Sequence, residues 1–313
     1  MTAASDRAGA DRLSRAPLLP YATLLLVMVL WASNVVLGRL MAGIWSPYAL
    51  SLWRWGLAFV VLLPVAGTGV ARHWPIIRQH WRVIALMGLL SVGFFNTLLY
   101  LALNYTTAIN VALINSTTPI VILLLSRILI GTRMAPRVMV GVGLGLVGAA
   151  IIVMRGDLAG LLRLQLNLGD GLQLVAVLVW ALYSVLLQRH PVKLPPLVLQ
   201  LAMIACGLPV LVLIFLVVPA GGATVPHDAA GIALVLFLAV GISLGATLLW
   251  NISIGRVGAR VAGFFNYLTP PIVALMSVVI LDEHLQPFHG LGFALILVGI
   301  LLATLTRLPW RRR

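Results

Sequence analysis

Charged residues are scarce in this chain. They make up only 9% of its 313 residues, whereas hydrophobic residues make up 62%. Ordinary soluble domains carry roughly 25% charged and 45–50% apolar residues. The composition therefore excludes a soluble globular protein and predicts an integral membrane protein.

Cysteine, carboxylates and histidines are also few. The single Cys206 lies in an apolar run, which excludes an intrachain disulfide and a thiol-rich metal site. None of the seven acidic residues or six histidines falls in the central part of a predicted span, and no histidine has a partner at metal-ligand spacing. The sequence predicts no metal site, no cofactor and no intramembrane group for proton coupling.

Positive charge is the exception, because the net charge is +14. Such a charge could indicate a nucleic-acid partner. The arginines, however, stand in short clusters between apolar runs, as topology signals do, rather than on one soluble face. Membrane lipid and a small-molecule substrate are the predicted partners, and nucleic acid is not.

Ten apolar segments are long enough to cross a bilayer, which takes about 20 residues. The predicted spans are 18–43, 47–68, 82–104, 107–130, 138–154, 169–188, 196–218, 230–252, 260–281 and 288–306. The first is too long for the apolar region of a signal peptide, so it is expected to remain as a helix.

The basic residues predict the orientation of these spans. With the N-terminus in the cytoplasm, 17 of the 21 basic residues fall in inner segments, and five of the seven acids fall outside. This asymmetry follows the positive-inside rule. It predicts a multi-pass protein with both termini cytoplasmic. The expected location is the plasma membrane (bacterial inner membrane).

One segment recurs 151 residues further along the chain. The stretch from Asn115 to Gly148 aligns without a gap on the stretch from Asn266 to Gly299. Six residues of the first stretch meet an identical residue in the second: Asn115, Thr118, Pro119, Pro136, Gly141 and Gly148. Duplication inside an apolar chain is typical of membrane transporters.

Five helices per copy is an odd number, so the second copy must cross the membrane in the opposite direction. The predicted fold is an all-α membrane protein of ten transmembrane helices in two inverted five-helix repeats, 18–154 and 169–306. The remaining segments are a cytoplasmic N-terminal tail (1–17), an extracytoplasmic linker (155–168) and a basic cytoplasmic tail (307–313).

A glycine-rich motif in the fifth span has two interpretations. Gly143, Gly145 and Gly148 match a dinucleotide-binding fingerprint, with Asp170 at a suitable distance beyond. No strand precedes the motif, and its glycines lie inside an apolar span. A small-residue face for close helix packing is therefore favoured, with Gly292 and Gly299 in the same role on the tenth span.

Pro119 and Pro270 lie about midway along predicted helices four and nine. Each removes a backbone hydrogen bond and frees carbonyls in a region without water. One such proline alone indicates a tolerated kink. Equivalent prolines in both copies, each with Thr directly before it and Asn four residues upstream, favour segments that line a cavity.

Aromatic and amide side chains at mid-span complete the predicted cavity. Trp31 and Trp180 lie in the first helices of the two copies, and Tyr100 matches Trp250 in the third helices. Each polar residue alone indicates an interhelical hydrogen bond, whereas together they indicate a central cavity. The predicted substrate-binding residues are Trp31, Asn34, Asn96, Tyr100, Asn115, Pro119, Trp180, Tyr183, Trp250, Asn266, Tyr267 and Pro270.

Arg54, flanked by Trp53 and Trp55, is the most embedded charge. It could attract a substrate carboxylate. The favoured interpretation is that it snorkels to the membrane interface beside its aromatic neighbours. Because the sequence shows no Lys or Arg at mid-depth, the cavity is expected to be uncharged at its centre.

Several of these features occur together in one known family. They are Trp31-Ala-Ser-Asn34 followed by Arg39, then Arg54, the Pro119 and Pro270 segments, Asp282-Glu283, Gly292 and Gly299. With them the chain resembles the EamA-type branch of the drug/metabolite transporter superfamily over nearly its whole length after residue 17. The resemblance implies ten helices in two inverted repeats and export of small metabolites, with amino-acid exporters among the members. Thr132 departs from the family, which usually carries an acidic residue there, so the resemblance implies no symmetric role for Glu283.

The predicted function is export of small metabolites, most of all neutral or aromatic amino acids. The absence of intramembrane carboxylates favours facilitated diffusion or exchange with alternating access. One alternative is an exporter of drugs or hydrophobic cations on the same fold. A distant alternative is a lipid-modifying enzyme, for which Asp282, Glu283 and His284 are the nearest candidates.

Overall fold

The structure of the protein is a computed structural model that describes residues 18–131, 136–154, 167–218, 228–250, 252–253 and 265–304. Every secondary-structure element in these residues is helical, which confirms the all-α prediction. The two predicted tails, Thr132 and most of the linker 155–168 lie outside the described residues.

The helices follow one another in two series that correspond to the two predicted copies. The first series is α1 (Leu18–Leu40), α2 (Pro47–Arg72), α3 (Trp74–Gly88), a first π-helical segment (Leu89–Phe94), α4 (Phe95–Leu103), α5 (Ala108–Asn115), α6 (Thr118–Ile130) and α7 (Pro136–Val153). The second is α8 (Leu168–Arg189), α9 (Pro196–Val217), α10 (Ala229–Leu236), a second π-helical segment (Phe237–Ala246), a 3₁₀ turn (Asn266–Leu268), α11 (Thr269–Ile280) and α12 (Pro287–Thr304).

In the residues that the structure describes, seven helical stretches are long and apolar enough to cross a membrane: Leu19–Leu40, Pro47–Arg72, Trp74–Leu103, Ala108–Leu129, Leu168–Arg189, Pro196–Val217 and Ala229–Trp250. Three shorter apolar helices, Pro136–Ile152, Asn266–Ile280 and Pro287–Leu302, stand at the fifth, ninth and tenth predicted spans. A multi-pass helical membrane protein is confirmed, whereas ten complete crossings stay a prediction.

Prolines begin several of these helices. Pro47 opens α2 directly after Ser46, whose Oγ accepts a hydrogen bond from the Ala49 amide. Pro136, Pro196 and Pro287 open α7, α9 and α12 in the same way. Proline is tolerated at a first helical position because the first amides of a helix have no partner within it.

The third helical stretch begins earlier than its predicted start at residue 82. It starts at Trp74, and its first two turns carry Arg78 and the exposed Trp74 and Trp81. The prediction missed this part of the helix because its charged residues interrupt the apolar run from which the span was counted. A non-helical backbone conformation at His80 separates the polar turns from the apolar remainder.

Matched glycines join α7 to α12. A Cβ atom added at Gly148 would lie 2.5 Å from the Gly292 carbonyl oxygen, and one added at Gly292 would lie 2.8 Å from the Gly148 carbonyl oxygen. Gly299 faces the Gly141 carbonyl in the same way. The two backbones can approach this closely only without side chains between them. Close helix packing is confirmed for Gly148, Gly292 and Gly299.

Equivalent helices of the two copies run in opposite directions. Gly148 faces Gly292 and Gly141 faces Gly299, so α7 and α12 are antiparallel. Arg39, near the end of α1, donates a hydrogen bond to the Leu103 carbonyl. Thr106, three residues after Leu103, donates to Asp170 at the start of α8, so the end of α1 and the start of α8 lie at the same end of the bundle. The start of α5 contacts Glu283, which follows α11. The end of the bundle where these termini meet is called the Glu283 end below.

The two copies also share one hydrophobic core. The largest cluster of buried apolar side chains takes residues from α1, α4 and α5 of the first copy and from the second π-helical segment and α11 of the second copy. Neither copy buries this apolar surface alone.

Both third helices contain a π-helical segment, which the sequence did not predict. The first spans Leu89–Phe94 and the second spans Phe237–Ala246. In the second segment Ser243 Oγ donates a hydrogen bond to the carbonyl of Leu238, five residues earlier. π-helical segments are rare and frequently lie at functional sites. Their occurrence at equivalent places directs attention to the side chains beside them.

Candidate functional site

The guanidinium of Arg54 lies at the centre of a buried polar cluster. Its Nε donates to Ser243 Oγ at 2.6 Å. Its Nη1 lies 2.8 Å from Asn34 Oδ1, 2.9 Å from Asn96 Oδ1 and 2.7 Å from the Tyr100 hydroxyl. These five residues, the Arg54 cluster, come from α1, α2, α4 and the second π-helical segment, and each is at most 8% exposed. The cluster therefore joins both copies.

The prediction that Arg54 snorkels to the interface is wrong. Arg54 is seven residues inside α2, about 10 Å from its start at 1.5 Å per residue, and it is 5% exposed. The side chain turns inward because four oxygen acceptors converge there, and the ring of Trp55 lies 5.4 Å from the guanidinium carbon. The expectation of an uncharged interior is therefore also wrong at this place.

Within the described part of the chain, the charge of Arg54 is balanced by dipoles only. All four of its hydrogen-bond partners are neutral amides or hydroxyls. Among the described residues no carboxylate lies within ion-pair distance of Arg54; the ion pair they do contain joins Arg39 to Glu283. A buried cation costs free energy unless it is paired or hydrogen-bonded. Among those residues the guanidinium is therefore stabilised by hydrogen bonds to neutral groups and not by a negative charge.

Aromatic residues pair across the two copies. The rings of Trp31 and Trp250 have centroids 5.1 Å apart, and those of Phe95 and Trp180 are 4.6 Å apart. Trp180 also contacts Tyr183 at 5.1 Å. Four of these five residues were predicted. Phe95 was missed because a phenylalanine in an apolar helix has no polar signal that separates it from the core.

The Trp31–Trp250 pair adjoins the Arg54 cluster. Trp31 is three residues before Asn34 on α1, and Trp250 is seven residues after Ser243. Residues three, four or seven apart share one face of a helix. The two helices therefore present an aromatic pair followed by polar groups along the same interface.

Both predicted interruptions occur. α5 ends at Asn115, a turn at Ser116 and Thr117 follows, and α6 begins with Pro119 in its first turn. In the second copy a 3₁₀ turn that begins at Asn266 precedes α11, which has Pro270 in its first turn. Proline interrupts each helix because it cannot donate to the preceding turn.

At the first interruption, three backbone carbonyls already accept hydrogen bonds from side-chain hydroxyl groups. Ser116, Thr117 and Thr118 donate to the carbonyls of Leu113, Ile114 and Asn115 at 2.6–2.7 Å. A carbonyl oxygen can accept a second bond, so substrate binding by these groups stays a prediction.

The amides near the interruptions are separate from the Arg54 cluster. Asn115 accepts a hydrogen bond from the fully buried Gln173 of α8 at 3.3 Å. Asn266 and Tyr267 are half-buried in the 3₁₀ turn of the second copy. No contact of the described residues joins any of them to Arg54. The structure thus divides the twelve predicted residues among an arginine cluster, two aromatic groups and two interruptions.

Glu283 holds the start of α5 from another helix. Its two carboxylate oxygens accept hydrogen bonds from the amides of Ala108 at 2.9 Å and Ile109 at 3.1 Å. These amides are at a helix N-terminus, where negative charge is favourable. Arg39 Nε is 3.6 Å from the same carboxylate, and Arg39 Nη1 donates to the Leu103 carbonyl. A cleft of about 360 Å³ opens here, lined by Arg39, Leu40, Ala42, Ile280, Leu281 and Glu283.

A second polar cluster lies at the same end. The fully buried Asp170 accepts hydrogen bonds from Thr106 Oγ1 at 2.5 Å and from Asn110 Nδ2 at 3.2 Å. Asn110 Oδ1 in turn lies 2.9 Å from His289 Nε2. These contacts connect α5 with α8 and α12. The sequence showed Asp170 and His289 only as residues at helix ends, because their partners are distant in the chain.

The sequence profile of the EamA-like transporter family matches this chain twice, over residues 18–154 and 167–305. The chain belongs to the EamA-like transporter family. The resemblance stated from the sequence is therefore confirmed, and the protein is a transporter of this family. Its relatives are named as transporters, consistent with a protein that is not an enzyme.

Similar proteins match over nearly their full length. The "Uncharacterized transporter YyaM" of Bacillus subtilis is 25% identical over 92% of this chain and 95% of its own. A Streptantibioticus cattleyicolor protein named "Probable terminal-alkyne amino-acid exporter" is 26% identical over 92% and 94%. The inner membrane transporter YedA of Escherichia coli is 24% identical over 92% of each chain. One solved crystal structure, 22% identical over 91% of this chain and 96% of its own, has a TM-score of 0.60 and thus shares the fold.

Proposed function

We propose that this EamA-family transporter exports neutral and preferentially aromatic amino acids by alternating access. The observation that carries the proposal is the pairing of aromatic side chains across the two copies, Trp31 with Trp250 and Phe95 with Trp180. A substrate with an apolar ring can replace one ring of such a pair without loss of apolar contact. Aromatic pairs contribute roughly 0.5–1.5 kcal/mol beyond burial.

The antiparallel contacts support two inverted five-helix repeats in the plasma membrane. With the distribution of basic residues, the Glu283 end becomes the extracytoplasmic end and both termini are cytoplasmic. An inverted pair of repeats gives two related gates around one central site. The contacts of Glu283 and Asp170 then form the outer gate, because they bind helices of both copies to each other.

Transport is proposed to be facilitated diffusion or exchange, in which the substrate gradient sets the direction. The buried carboxylate of Asp170 and the ring of His289 lie at helix ends of the proposed outer gate, not at the aromatic pairs. A proton carrier at the substrate site would need such a group beside the substrate.

The two alternatives gain no support from the site. A hydrophobic cation would meet the positive charge of Arg54, which opposes its binding. For the lipid-modifying enzyme, Glu283 was a candidate acid, but its carboxylate is engaged with two backbone amides and Arg39. The relative named as an amino-acid exporter supports the first choice.

The proposal is tested by counterflow in proteoliposomes. Purified protein is reconstituted with internal unlabelled phenylalanine, and uptake of labelled phenylalanine is followed without pH or sodium gradients. Transient accumulation is expected, and Trp31→Ala should reduce its initial rate at low substrate. Trp74→Ala, a change of an exposed tryptophan at a helix start, is the matched control and should behave as the unmodified protein.

Two results would oppose the proposal. Counterflow that appears only with an imposed proton gradient would contradict facilitated transport. Absence of counterflow for every amino acid, with protein that is folded and inserted, would contradict the substrate class.

A further inference from the structure

We propose that Arg54 binds the carboxylate of the transported molecule, so that a carboxylate is required in every substrate of this protein. The ligand class is a small monocarboxylate with an apolar, preferably aromatic, side chain. This inference rests on the proposed transport function only in that the ligand reaches the site by the transport pathway.

The first step of the argument is charge. Arg54 is 5% exposed, and all its hydrogen-bond partners in the described residues are neutral oxygen atoms. An arginine that only connects helices is usually paired with a carboxylate, because the pair removes the net charge from the low-dielectric interior. A ligand carboxylate would supply the missing negative charge.

The second step is geometry. Ser243 fixes the Nε side of the guanidinium, while Asn34, Asn96 and Tyr100 surround Nη1. None of the hydrogen bonds among the described residues uses Nη2. The planar guanidinium is thus held in one orientation with two N–H groups left to donate. Both free N–H groups are on Nη2, so a ligand carboxylate can accept a charge-assisted hydrogen bond from that nitrogen.

The third step compares the two copies. Counted from the proline that starts each second helix, Arg54 corresponds to Met203. The matching Thr-Leu-Leu segments of the third helices pair Asn96 with Ala246, Tyr100 with Trp250 and Ser243 with Gly93. The second copy therefore folds with apolar residues at the corresponding positions. The fold itself does not need an arginine there, which leaves recognition as the reason for the charge.

The surroundings select among anions. One guanidinium balances one carboxylate, whereas a diphosphate carries more charge than this site offers. The Trp31–Trp250 pair on the adjoining turns suits an apolar side chain. The side-chain oxygen of Asn96 accepts one hydrogen bond, from Arg54, and can accept a second from the ammonium group of an amino acid.

Competition against labelled phenylalanine counterflow tests this requirement. The competitors are phenylalanine, 3-phenylpropionate, which lacks the amine, and phenethylamine, which lacks the carboxylate. In the unmodified protein the two carboxylates are expected to compete and phenethylamine to be at least tenfold weaker. If phenethylamine competes as well as phenylalanine, the inference is overturned although the transport proposal stands.

Substitutions separate recognition from structure. Arg54→Gln should raise the KM for phenylalanine at least tenfold and remove the preference for carboxylates, and Arg54→Lys should retain part of both. Arg78→Gln, which removes an exposed arginine, is the matched control and should leave both unchanged. Retention of affinity and preference in folded Arg54→Gln protein contradicts the inference.

Asn96→Asp gives a test that does not depend on removing the arginine. It places a carboxylate at the position of Asn96 Oδ1, 2.9 Å from Nη1, and so should stabilise the fold while competing with the ligand. We expect an unchanged or higher Tm with at least tenfold weaker phenylalanine binding; Gln79→Glu, on an exposed position, should leave binding unchanged. Normal binding by Asn96→Asp would assign Arg54 a purely structural role.

A measurement of ligand binding tests the Arg54 site even if the protein transports no amino acid. The Tm of the protein in detergent is measured with 3-phenylpropionate, benzoate, phenethylamine and benzyl alcohol. Stabilisation by the two carboxylates alone, lost in Asn96→Asp, supports the site even if phenylalanine counterflow fails. Equal stabilisation by all four, or by none, rejects it.

Discussion

Two helix pairs related by the duplication are held together by different chemistry. In the first, α2 meets the second π-helical segment through the hydrogen bond from Arg54 to Ser243. In the second, α9 packs against the end of α3 and the first π-helical segment through glycines, with no side chain between the backbones. Gly88 lies against the Met203 carbonyl, and a Cβ added at Gly207 would be 2.5 Å from the Gly88 carbonyl oxygen.

The difference shows how a symmetric fold acquires a specific site. Close glycine contacts are dry and rigid, and they leave no space for a ligand. The polar pair keeps a charged group, two amides and two hydroxyls at a similar place in the other copy. If Arg54 binds the substrate as proposed, the different side chains at corresponding positions place recognition in one of the two pairs only.

The largest effect is expected where the glycine pair is broken. Gly88→Leu would drive a side chain into the backbone of α9, and even Gly88→Ala should cost at least about 1–3 kcal/mol of stability. Gel filtration of detergent-solubilised protein should show loss of the folded peak for Gly88→Leu. Gly56→Ala, which meets nothing within 4 Å, is the control and should keep the peak. A normal peak for Gly88→Leu would contradict the close contact.

The second-largest effect is expected when Arg54 is replaced by the residue at the corresponding position of the second helix pair. Arg54→Met copies the residue of the second copy and leaves the side-chain oxygens of Asn96 and Ser243 without the Arg54 donor, whereas Asn34 keeps the Tyr100 hydroxyl. An unsatisfied buried polar group costs about 1–3 kcal/mol, so Tm should fall and phenylalanine transport should be lost. Met203→Leu changes the counterpart position with similar volume and should retain transport. Equal effects of the two changes would remove the distinction between the pairs.

A smaller effect is expected at the Glu283 end. Glu283→Gln removes the charge that holds the amides of Ala108 and Ile109, and charged hydrogen bonds contribute about 1.5–3 kcal/mol. In a Cys206→Ala background, Ala112→Cys should then react about tenfold faster with a membrane-impermeant maleimide added from outside. Asp282→Asn is the control, because Asp282 is exposed with φ 54°, a conformation that asparagine accepts. Unchanged labelling in Glu283→Gln would exclude Glu283 from the outer gate.

The smallest effect is expected at the second aromatic group. Trp180→Leu removes the ring that contacts Phe95 and Tyr183, and an aromatic pair contributes roughly 0.5–1.5 kcal/mol beyond burial. The KM for phenylalanine should rise about two- to tenfold with little change in Tm. Trp81→Leu, on an exposed position near a helix start, should leave KM unchanged. An unchanged KM in Trp180→Leu would place this group outside the substrate path.

The sequence predicted most of the helical architecture for clear physical reasons. A bilayer fixes the length of each apolar run, and it requires every backbone group to bond within a helix. Gly148 could be assigned to packing because it lies inside an apolar span that no predicted strand precedes. Pro119 and Pro270 could be assigned to interruptions because proline lacks the amide hydrogen.

The direction of individual polar side chains could not be predicted in this way. Arg54 was assigned to the interface because its partners lie from 20 to 189 residues away in the chain. Glu283 was visible as part of an acidic loop, but its contact with the start of α5 depends on how α11 ends beside it. The π-helical segments have no distinctive composition, so apolar periodicity gave no sign of them.

The central claim, that the two ends of the bundle open in turn around one substrate, is tested most directly by paired distance measurements. Spin labels at Ala42 and Leu285 report on the Glu283 end, and labels at Arg78 and His190 report on the opposite end, in a Cys206→Ala background. Saturating phenylalanine should lengthen the first distance and shorten the second. Two distances that stay fixed, or that change in the same direction, would contradict alternating access.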